Sequence, residues 1–538
     1  MKREGDHMQP KLGVFSDGWT VQDVGVLRID RRVNPKVSWS PCSMRVARIF
    51  LFAVISCSLS HGAFAQATAQ AREAPLSPQQ TESIDGFVGA EMARQLIPGL
   101  AVGIYSRGRI LLAKGYGLAN VELSVPVRAE TIFQSGSVGK QFVSAAIMML
   151  VEEGKLSLDD SITKYFPDAP SSWKPVLIKN LLSHTSGLSE YESLDRIGSK
   201  GEFYLRLDFT EDELVTKIEA LPMEWFPGER WGYRNTNYVL LGITIHKVTG
   251  KPYAEYLQER IFKPLGMTST RLVSDRDIIP NRSSGYDLED GQLKNQAWVS
   301  PTFNSTADGT LYFNVIDLAK WDEALYTTRL LKQSSLDRIW TVYPLKAGKP
   351  NSDNYGFGWF VRPQNGHMVI EHGGAWQGFT CNISRYPDDS LSVVVLTNLD
   401  SAHSSPEMLS HVIAGLLEPS LLPAKLSPIA DSQPAIATSL RTTLDHLVAG
   451  DDVRPQVSPE LAARLTPDGM KWIQKSLSIV WPGGTLSLVK RNPVPHAQNH
   501  VSSIFRLVKD KGALLIVYVL SPDGKIFDFY LMPDRPYE

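Results

Sequence analysis

Ile132-Phe133-Gln134-Ser135-Gly136-Ser137-Val138-Gly139-Lys140-Gln141-Phe142-Val143-Ser144-Ala145-Ala146-Ile147-Met148-Met149-Leu150-Val151 decides the reading of this chain. A short apolar segment with a glycine leads into a serine and a lysine three residues apart, and a wholly apolar run follows until Gly154 closes it. The spacing predicts a helix over 137–153, and a helix apolar on every side belongs in a protein interior. Residues three apart share a face, so Lys140 reaches the Ser137 hydroxyl at a buried helix start. The free N–H groups of that first turn favour developing negative charge. A hydroxyl beside an amine in such a place is a nucleophile beside its base, suited to attack on a carbonyl.

The bare pattern also occurs at Ser161–Lys164, Ser171–Lys174 and Ser487–Lys490. Context separates them. Ser161 stands among Asp159, Asp160 and Lys164 on a solvated turn, and none of the three opens an apolar run like that after Ser137.

Around this segment, residues 78–96 read as a helix, and 99–105 with 110–116 read as a hairpin. A polar insert spans 190–225, the loop Phe226-Pro227-Gly228-Glu229 follows, and a helix runs from Asn235 to about Val248. Strands return at 368–371, 379–385 and 391–397, the last two joined by Pro387-Asp388-Asp389. Early strands, a helical middle and late strands place both ends of this unit in one antiparallel sheet.

Two further constellations carry chemistry. Tyr233 and Asn235 are two apart, so on extended backbone both face one cleft, although Tyr233 alone also reads as a packed aromatic. Glu371-His372-Gly373-Gly374-Ala375 stands at a strand end where glycines admit a ligand close to the backbone; its bland reading is a plain strand terminus.

Taken in order, Ser137-x-x-Lys140, Leu182-x-His184-Thr185-Ser186-Gly187-Leu188, Pro227-Gly228-Glu229, Tyr233-x-Asn235-Thr236-Asn237-Tyr238, Pro264-Leu265-Gly266-Met267, Tyr355-Gly356-Phe357-Gly358-Trp359 and His372-Gly373-Gly374 resemble the serine β-lactamase-like family. That family includes class C β-lactamases, D-alanyl-D-alanine carboxypeptidases, D-aminopeptidases and related esterases. The resemblance covers roughly residues 80–415. It implies an α+β fold, an antiparallel sheet flanked by helices with an inserted all-helical region, and a site in the groove between them. It further implies that Ser137 is the acyl-accepting nucleophile and that Lys140 and Tyr233 form the proton-transfer network. Asn235 orients Lys140 and the substrate amide, His372 replaces the lysine of the family's lysine-threonine-glycine motif with Gly373 and Gly374 beside it, and the backbone N–H groups of Ser137 and Ala375 form the oxyanion hole.

A free lysine has a pKa of about 10.4 and a tyrosine about 10, so neither is a base near neutral pH until its surroundings shift it. Clustering Lys140, Tyr233 and His372 supplies such surroundings, and either Lys140 or Tyr233 is a candidate to take the Ser137 proton. The expected function is that of an exported serine hydrolase acting through a Ser137 acyl-enzyme on small esters, amides or D-amino-acid-containing peptides. One alternative is a non-catalytic or slowly turning over penicillin- or peptidoglycan-peptide-binding or sensor protein; another is a class C-like β-lactamase. Efficient β-lactam hydrolysis fits less well, because His372 is mostly neutral at pH 7 and the two glycines offer no hydroxyl for a substrate carboxylate. Asp308-Gly309-Thr310, where relatives often carry paired glycines, is a second departure beside the groove. An α/β-hydrolase needs G-x-S-x-G, and Ser135 stands where the first glycine belongs.

Composition agrees with an ordinary enzyme: 55 basic residues balance 57 acidic ones, and 43% of the chain is hydrophobic. No basic face points to nucleic acid. The expected partner is a small-molecule or peptide substrate, and no cofactor is expected: no C-x-x-C or H-E-x-x-H occurs and the 11 histidines are scattered. Cys42 and Cys57 lie near the start, which leaves Cys381 alone later in the chain.

Met44-Arg45-Val46-Ala47-Arg48, the apolar run Ile49–Ile55 and Ala63-Phe64-Ala65 read as a secretory signal peptide cleaved after Ala65, giving a periplasmic or secreted protein. The apolar run is shorter than the roughly 20 residues of a membrane anchor. Cys57 offers a lipoprotein site as the alternative, with an unusual isoleucine at 55. Residues 1–43 form a long polar leader, read as an artefact of start-codon choice. A chain of 538 residues exceeds one core, so further domains are expected: a hydrolase domain over 76–420, a proline- and serine-rich linker over 421–434 and a small α+β accessory domain over 435–538.

Overall fold

Leu100, Val102 and Ile104 alternate with Ala101 and Tyr105 along β1 (Gly99–Ser106), and both sets are buried, so this strand has packed layers on each face. The computed structural model describes residues 75–192, 205–289, 291–422, 427–465, 467–493, 500–510 and 512–533; the leader and signal-peptide readings lie outside the described residues. Two units form, one reaching residue 422 and one beginning at 427 among the described residues.

In the first unit the remaining strands are β2 (Arg109–Asn120), β3 (Val125–Pro126), β4 (Phe133–Gln134), β5 (Arg271–Leu272), β6 (Tyr286–Glu289), β7 (Gln292–Asn295) and β8 (Leu311–Phe313). They are followed by β9 (Phe360–Gln364), β10 (His367–Trp376), β11 (Phe379–Tyr386) and β12 (Leu391–Thr397). The main sheet is antiparallel with order β3-β2-β1-β12-β11-β10-β9. Leu100 pairs with Thr397, so the early and late strands meet as the pattern of elements requires.

On one face lie helices α1 (Pro78–Gln95), capped by Ser77 with Gln80 reaching back, and the late helix Pro406–Leu417. Ile84, Val88, Leu409 and Ile413 pack there against Leu100, Val102, Ile104, Val393 and Val395. Each such side chain contributes roughly 1.5–3 kcal/mol by leaving water. The opposite face carries Ala101, Ile383, Val394 and Leu396 and packs against the helical region, whose centre is α2 (Lys140–Glu152) and α3 (Asn235–Thr249). Every residue from Lys140 to Leu150 is buried, which is what an all-round apolar helix demands.

Two details differ from the sequence expectation. The helix starts as a tight 3₁₀ turn over Gly136–Gly139 and becomes α-helical only at Lys140, because Gly136 takes φ +45° to press the turn against β10. Gly373 and Gly374 lie inside β10, which continues to Trp376. The strand persists because Gly373, Gly374 and Ala375 remain paired with Asn382, Cys381 and Thr380.

The helical layer is fastened to the sheet by one buried carboxylate. Asp322, on the helix Val315–Ala324, accepts from Arg385 Nε at 2.8 Å, Ser392 Oγ at 2.7 Å and the Gly108 N–H at 2.8 Å, thereby touching β11, β12 and the β1–β2 turn. Arg385 and Asp322 side chains are 1% and 0% exposed.

The second unit contains helices Pro434–Ala449, Pro459–Arg464 and Pro467–Val480 and an antiparallel sheet of β13 (Thr485–Pro493), β14 (Val501–Lys509), β15 (Gly512–Leu520) and β16 (Ile526–Pro533) in that order. Pro459–Arg464 and Pro467–Val480 are separate helices, since Pro467 begins a new one. Leu440, Leu444 and Leu447 recur at helical spacing and pack with Phe505, Leu507, Ile516 and Tyr518.

Asp322→Ala is expected to lower unfolding free energy by about 3–5 kcal/mol, because it strands the Arg385 guanidinium in the core. Chemical denaturation of the variant beside the wild type measures this.

Candidate active site

Ser137 lies in the 3₁₀ turn and Lys140 is the first residue of α2, so both point from the start of the buried helix. Lys140 is 0% exposed. Its Nζ lies 2.9 Å from Ser137 Oγ, 2.8 Å from Asn235 Oδ1 and within hydrogen-bond reach of the Asp308 carbonyl. A neutral amine has two N–H bonds and one lone pair. Asn235 Oδ1 and the Asp308 carbonyl can only accept, so they take the two N–H bonds and leave the lone pair facing the Ser137 hydroxyl. Burial draws the lysine pKa down to about 8, against the pull of Asp308, Glu190 and Glu192 in the other direction. The faces of Tyr233 and Tyr238 lie 4.9 and 5.5 Å from Nζ and give the ammonium form some support.

Arg234 is extended (φ −138°, ψ 116°), which sends Tyr233 and Asn235 to one side, and Asn235 then opens α3. The asparagine is pinned twice. Its N–H donates to Glu190 Oε2 at 2.6 Å and its Nδ2 donates to Glu192 Oε1 at 3.3 Å, so the amide must turn Oδ1 toward Lys140. Burial pushes the Tyr233 phenol well above its ordinary pKa, with the Ser137 hydroxyl acting in the opposite sense. Tyr233 is therefore a neutral phenol, which leaves Lys140 the better placed of the two candidate bases to take the Ser137 proton.

His372 is 2% exposed and its pKa falls to about 3, through burial first and the Lys140 charge second. Its Nδ1 lies 2.6 Å from the Gly373 carbonyl, which only accepts, so Nδ1 carries the ring proton and Nε2 accepts from Tyr355 O–H at 2.9 Å. The ring stays neutral, 6.1 Å from the Tyr233 ring centre. It supplies no cation to its neighbours, as a histidine mostly neutral at pH 7 implies.

Gly374 and Ala375 of β10 abut the 3₁₀ turn. A Cβ on Gly374 would fall 2.2 Å from the Ser135 carbonyl oxygen and 2.8 Å from Ser137 N; one on Gly136 would fall 2.3 Å from Ala375 N. Only glycines allow this approach, which gathers the Ser137 and Ala375 amides in one place. Gly309 adds the third wall, where a Cβ would lie 2.6 Å from the Gly136 carbonyl carbon. Gly374 of β10, Gly136 and Gly309 thus serve close backbone packing around Ser137, whereas a Cβ on Gly373 would meet only ordinary contacts.

Several members of the site were not recognised as such from sequence. Glu190, placed in a polar insert, is buried enough beside Glu192 that its carboxyl rises to about 8. Asp308 contributes a backbone carbonyl, which no side-chain pattern reveals. Tyr355 stood in a recognised motif without a role and proves to hold His372. His184, likewise quoted only as part of a motif, stacks on Tyr233 with ring centres 4.3 Å apart. Of the other serine–lysine pairs, Ser161 donates to the Lys174 carbonyl at 2.8 Å while Lys164 pairs with Asp160, and Ser487 and Lys490 lie on β13 of the other unit.

On the strand residue before His372, Glu371 pairs with Arg362 at 3.0 Å and with His411 Nε2 at 2.6 Å, and Ser384 donates to it at 2.9 Å. Glu371, Glu407 and His411 gather ligand-type atoms within 4.8 Å, but the Arg362 guanidinium already neutralises Glu371, so the group reads as an ion-pair network behind β10. Cys381, buried and free, donates its thiol to the Ser135 carbonyl at 2.8 Å.

A family model described as Beta-lactamase matches residues 84–418. Among curated proteins, penicillin-binding protein 4* of Bacillus subtilis (strain 168) is 30% identical over 312 residues, 54% of this chain and 66% of the relative. The chain thus spans slightly under two thirds of that relative's length. Among solved structures, the octameric penicillin-binding protein homologue from Pyrococcus abyssi is 25% identical with a TM-score of 0.58, covering 85% of this chain and 98% of its own. The D-amino acid amidase from Ochrobactrum anthropi SV3, complexed with L-phenylalanine amide, is 25% identical with a TM-score of 0.53, covering 64% and 97%.

Gly374→Ala is expected to displace the Ser137 turn and cut the rate of Ser137 modification by a fluorophosphonate about 10²-fold, the cost of a misplacement near 1 Å. Intact-mass kinetics of labelling measure it.

Proposed function

From its membership of the β-lactamase family, a serine hydrolase family that includes penicillin-binding proteins, D-amino-acid amidases and esterases, to which the chain belongs over residues 84–418, we propose that it hydrolyses small esters, amides or D-amino-acid-containing peptides through a Ser137 acyl-enzyme. The observation that carries this reading is the 2.9 Å contact between Lys140 Nζ and Ser137 Oγ, with the lysine pKa brought down to about 8.

In the first step the neutral Lys140 amine takes the Ser137 proton as Oγ attacks the substrate carbonyl carbon. The backbone N–H groups of Ser137 and Ala375 receive the oxyanion, one such donor being worth roughly 3 kcal/mol. The carbonyl re-forms as the leaving nitrogen or oxygen departs with a proton from Tyr233, whose raised pKa keeps that proton available. The Tyr233 phenolate is then reprotonated from the Lys140 ammonium. Water next attacks the acyl-enzyme and gives a proton to Lys140, which passes one to Ser137 Oγ as the acid is released, restoring the hydroxyl and the neutral amine. Asn235 holds Lys140 in register, and His372 with Gly373 and Gly374 forms the substrate-facing wall of β10.

Charge argues about substrate. His372 is neutral, and Glu190, Glu192 and Asp308 are close enough to raise the Lys140 pKa. A substrate carboxylate finds no cation in His372 and repulsion from whichever of these acidic groups is ionised, whereas a neutral ester, an amide or an amine-bearing D-amino-acid derivative is not repelled. This favours esterase, amidase or aminopeptidase chemistry over β-lactam or carboxypeptidase chemistry. With residues 44–65 read as a signal peptide, the proposed place of action is outside the cytoplasm; among the described residues no helix is long and apolar enough to cross a membrane.

Protein starting at residue 66, incubated with a short-chain p-nitrophenyl ester, is expected to turn over and to accept a fluorophosphonate adduct. Ser137→Ala is expected to lose the adduct and at least about 10³-fold of the rate. Turnover that survives Ser137→Ala would overturn the reading. The pH profile follows from the base: the amine is protonated below about 8, so kcat/KM is expected to rise from pH 6 and level off above that value.

A further inference from the structure

We propose that His184 is a positioning residue that clamps Tyr233 over Ser137, an inference that rests on the serine hydrolase reading above. The residues on either side of Tyr233 are both tied to this one histidine. Gly232 N–H donates to the His184 carbonyl at 2.9 Å, and Arg234 N–H donates to His184 Nδ1 at 3.3 Å. Between these two clips the imidazole lies against the Tyr233 ring, with centres 4.3 Å apart and planes tilted by 35°. Backbone on both sides and the ring face are therefore all held by the same side chain and its own main chain.

The histidine is itself held firmly. It is 0% exposed, and the rings of Tyr238 and Tyr355 stand 5.2 and 4.8 Å from it. Ser186 donates to Asn237 Oδ1 at 2.6 Å, which turns Asn237 Nδ2 toward His184 Nδ1 at 3.1 Å. Nδ1 thus faces two donors, so it carries no proton and the ring is the neutral tautomer protonated at Nε2. Farther along, Gly228 N–H bonds the Thr185 carbonyl at 2.7 Å and Glu224 N–H the Gly187 carbonyl at 2.8 Å. Gly187, at φ +77°, comes so near that a Cβ would lie 2.0 Å from the Trp225 carbonyl oxygen. The loop 184–187 is a rail along which 224–234 is laid, and His184 is its end at Tyr233.

Apart from the nearby Ser137 hydroxyl, the Tyr233 hydroxyl has no hydrogen-bond partner among the described residues. Its position is set by backbone and ring packing, so removing the clamp frees it. Because Tyr233 handles a proton in the transition state, loosening it acts on kcat more than on KM.

His184 has φ +56°, a conformation that asparagine and glycine accept readily. Asparagine also places an amide oxygen where Nδ1 stands, whereas glycine has no acceptor and no ring. Comparing His184→Asn with His184→Gly therefore separates the clip from backbone strain. On a short-chain p-nitrophenyl ester, His184→Asn is expected to keep kcat within about tenfold of wild type, and His184→Gly to lose about 10²-fold in kcat with KM changed less than about threefold. In Tyr233→Phe, His184→Gly is expected to cost no more than about threefold, since the group it positions is gone. Where the glycine variant does not fold, His184→Gln, whose acceptor sits one bond farther out, carries the same comparison. Equal kcat for the asparagine and the glycine or glutamine variants, or a full loss retained in the Tyr233→Phe background, overturns the clamp. Wild-type protein without Ser137-dependent turnover overturns the hydrolase reading and the clamp with it, which distinguishes the two failures.

Discussion

A lysine amine with no access to water organises this structure. Lys140 cannot keep an ordinary pKa at 0% exposure, and burial shifts it toward the neutral form. Three partners surround its nitrogen, two of them obligate acceptors, so the neutral amine has one orientation in which all three contacts are satisfied. That orientation aims a lone pair at Ser137. The carboxylates of Asp308, Glu190 and Glu192 oppose the shift and stop it at about 8, which keeps the amine basic enough to take a hydroxyl proton.

The fold exists around that point in a physical sense. The sheet contributes a wall in which Gly373 and Gly374 remain paired while the 3₁₀ turn of Ser137 presses on Gly374. The helical region contributes Lys140, Asn235 and the aromatic packing of Tyr233, His184, Tyr238 and Tyr355. Asp322 joins the two layers from the interior, and the ion pairs of Glu371 secure β10 from behind. Burial raises tyrosine pKa values and lowers those of lysine and histidine alike, so one physical cause leaves Tyr233 protonated, Lys140 near 8 and His372 neutral. The proton-transfer roles proposed for them rest on desolvation more than on any charge pair.

Much of this was legible in the residues. The all-round apolar run after Ser137 announced a buried helix, and the strand and helix assignments at 78–96, 99–116, 235–248 and 379–397 agree with the structure to within a few residues. Tyr233-x-Asn235 came out as two side chains on one side of an extended residue. Backbone partners belong to no residue type: the Asp308 carbonyl stayed hidden, and the amides of Ser137 and Ala375 were named only through the family resemblance. Contacts that depend on tertiary packing also stayed hidden, such as Tyr355 on His372 and His184 on Tyr233. The choice between Lys140 and Tyr233 as base stayed open because sequence shows neighbours but not depth, and depth sets the direction in which each pKa moves.

The central claim is that Lys140 is the base in its neutral form. Lysine labelled with ¹³C at Cε would let its titration be followed directly by NMR, with Lys140→Met assigning the resonance. The account expects a midpoint near 8. A midpoint at the ordinary lysine value of about 10.4 would contradict it, because the amine would then be an ammonium throughout the neutral pH range.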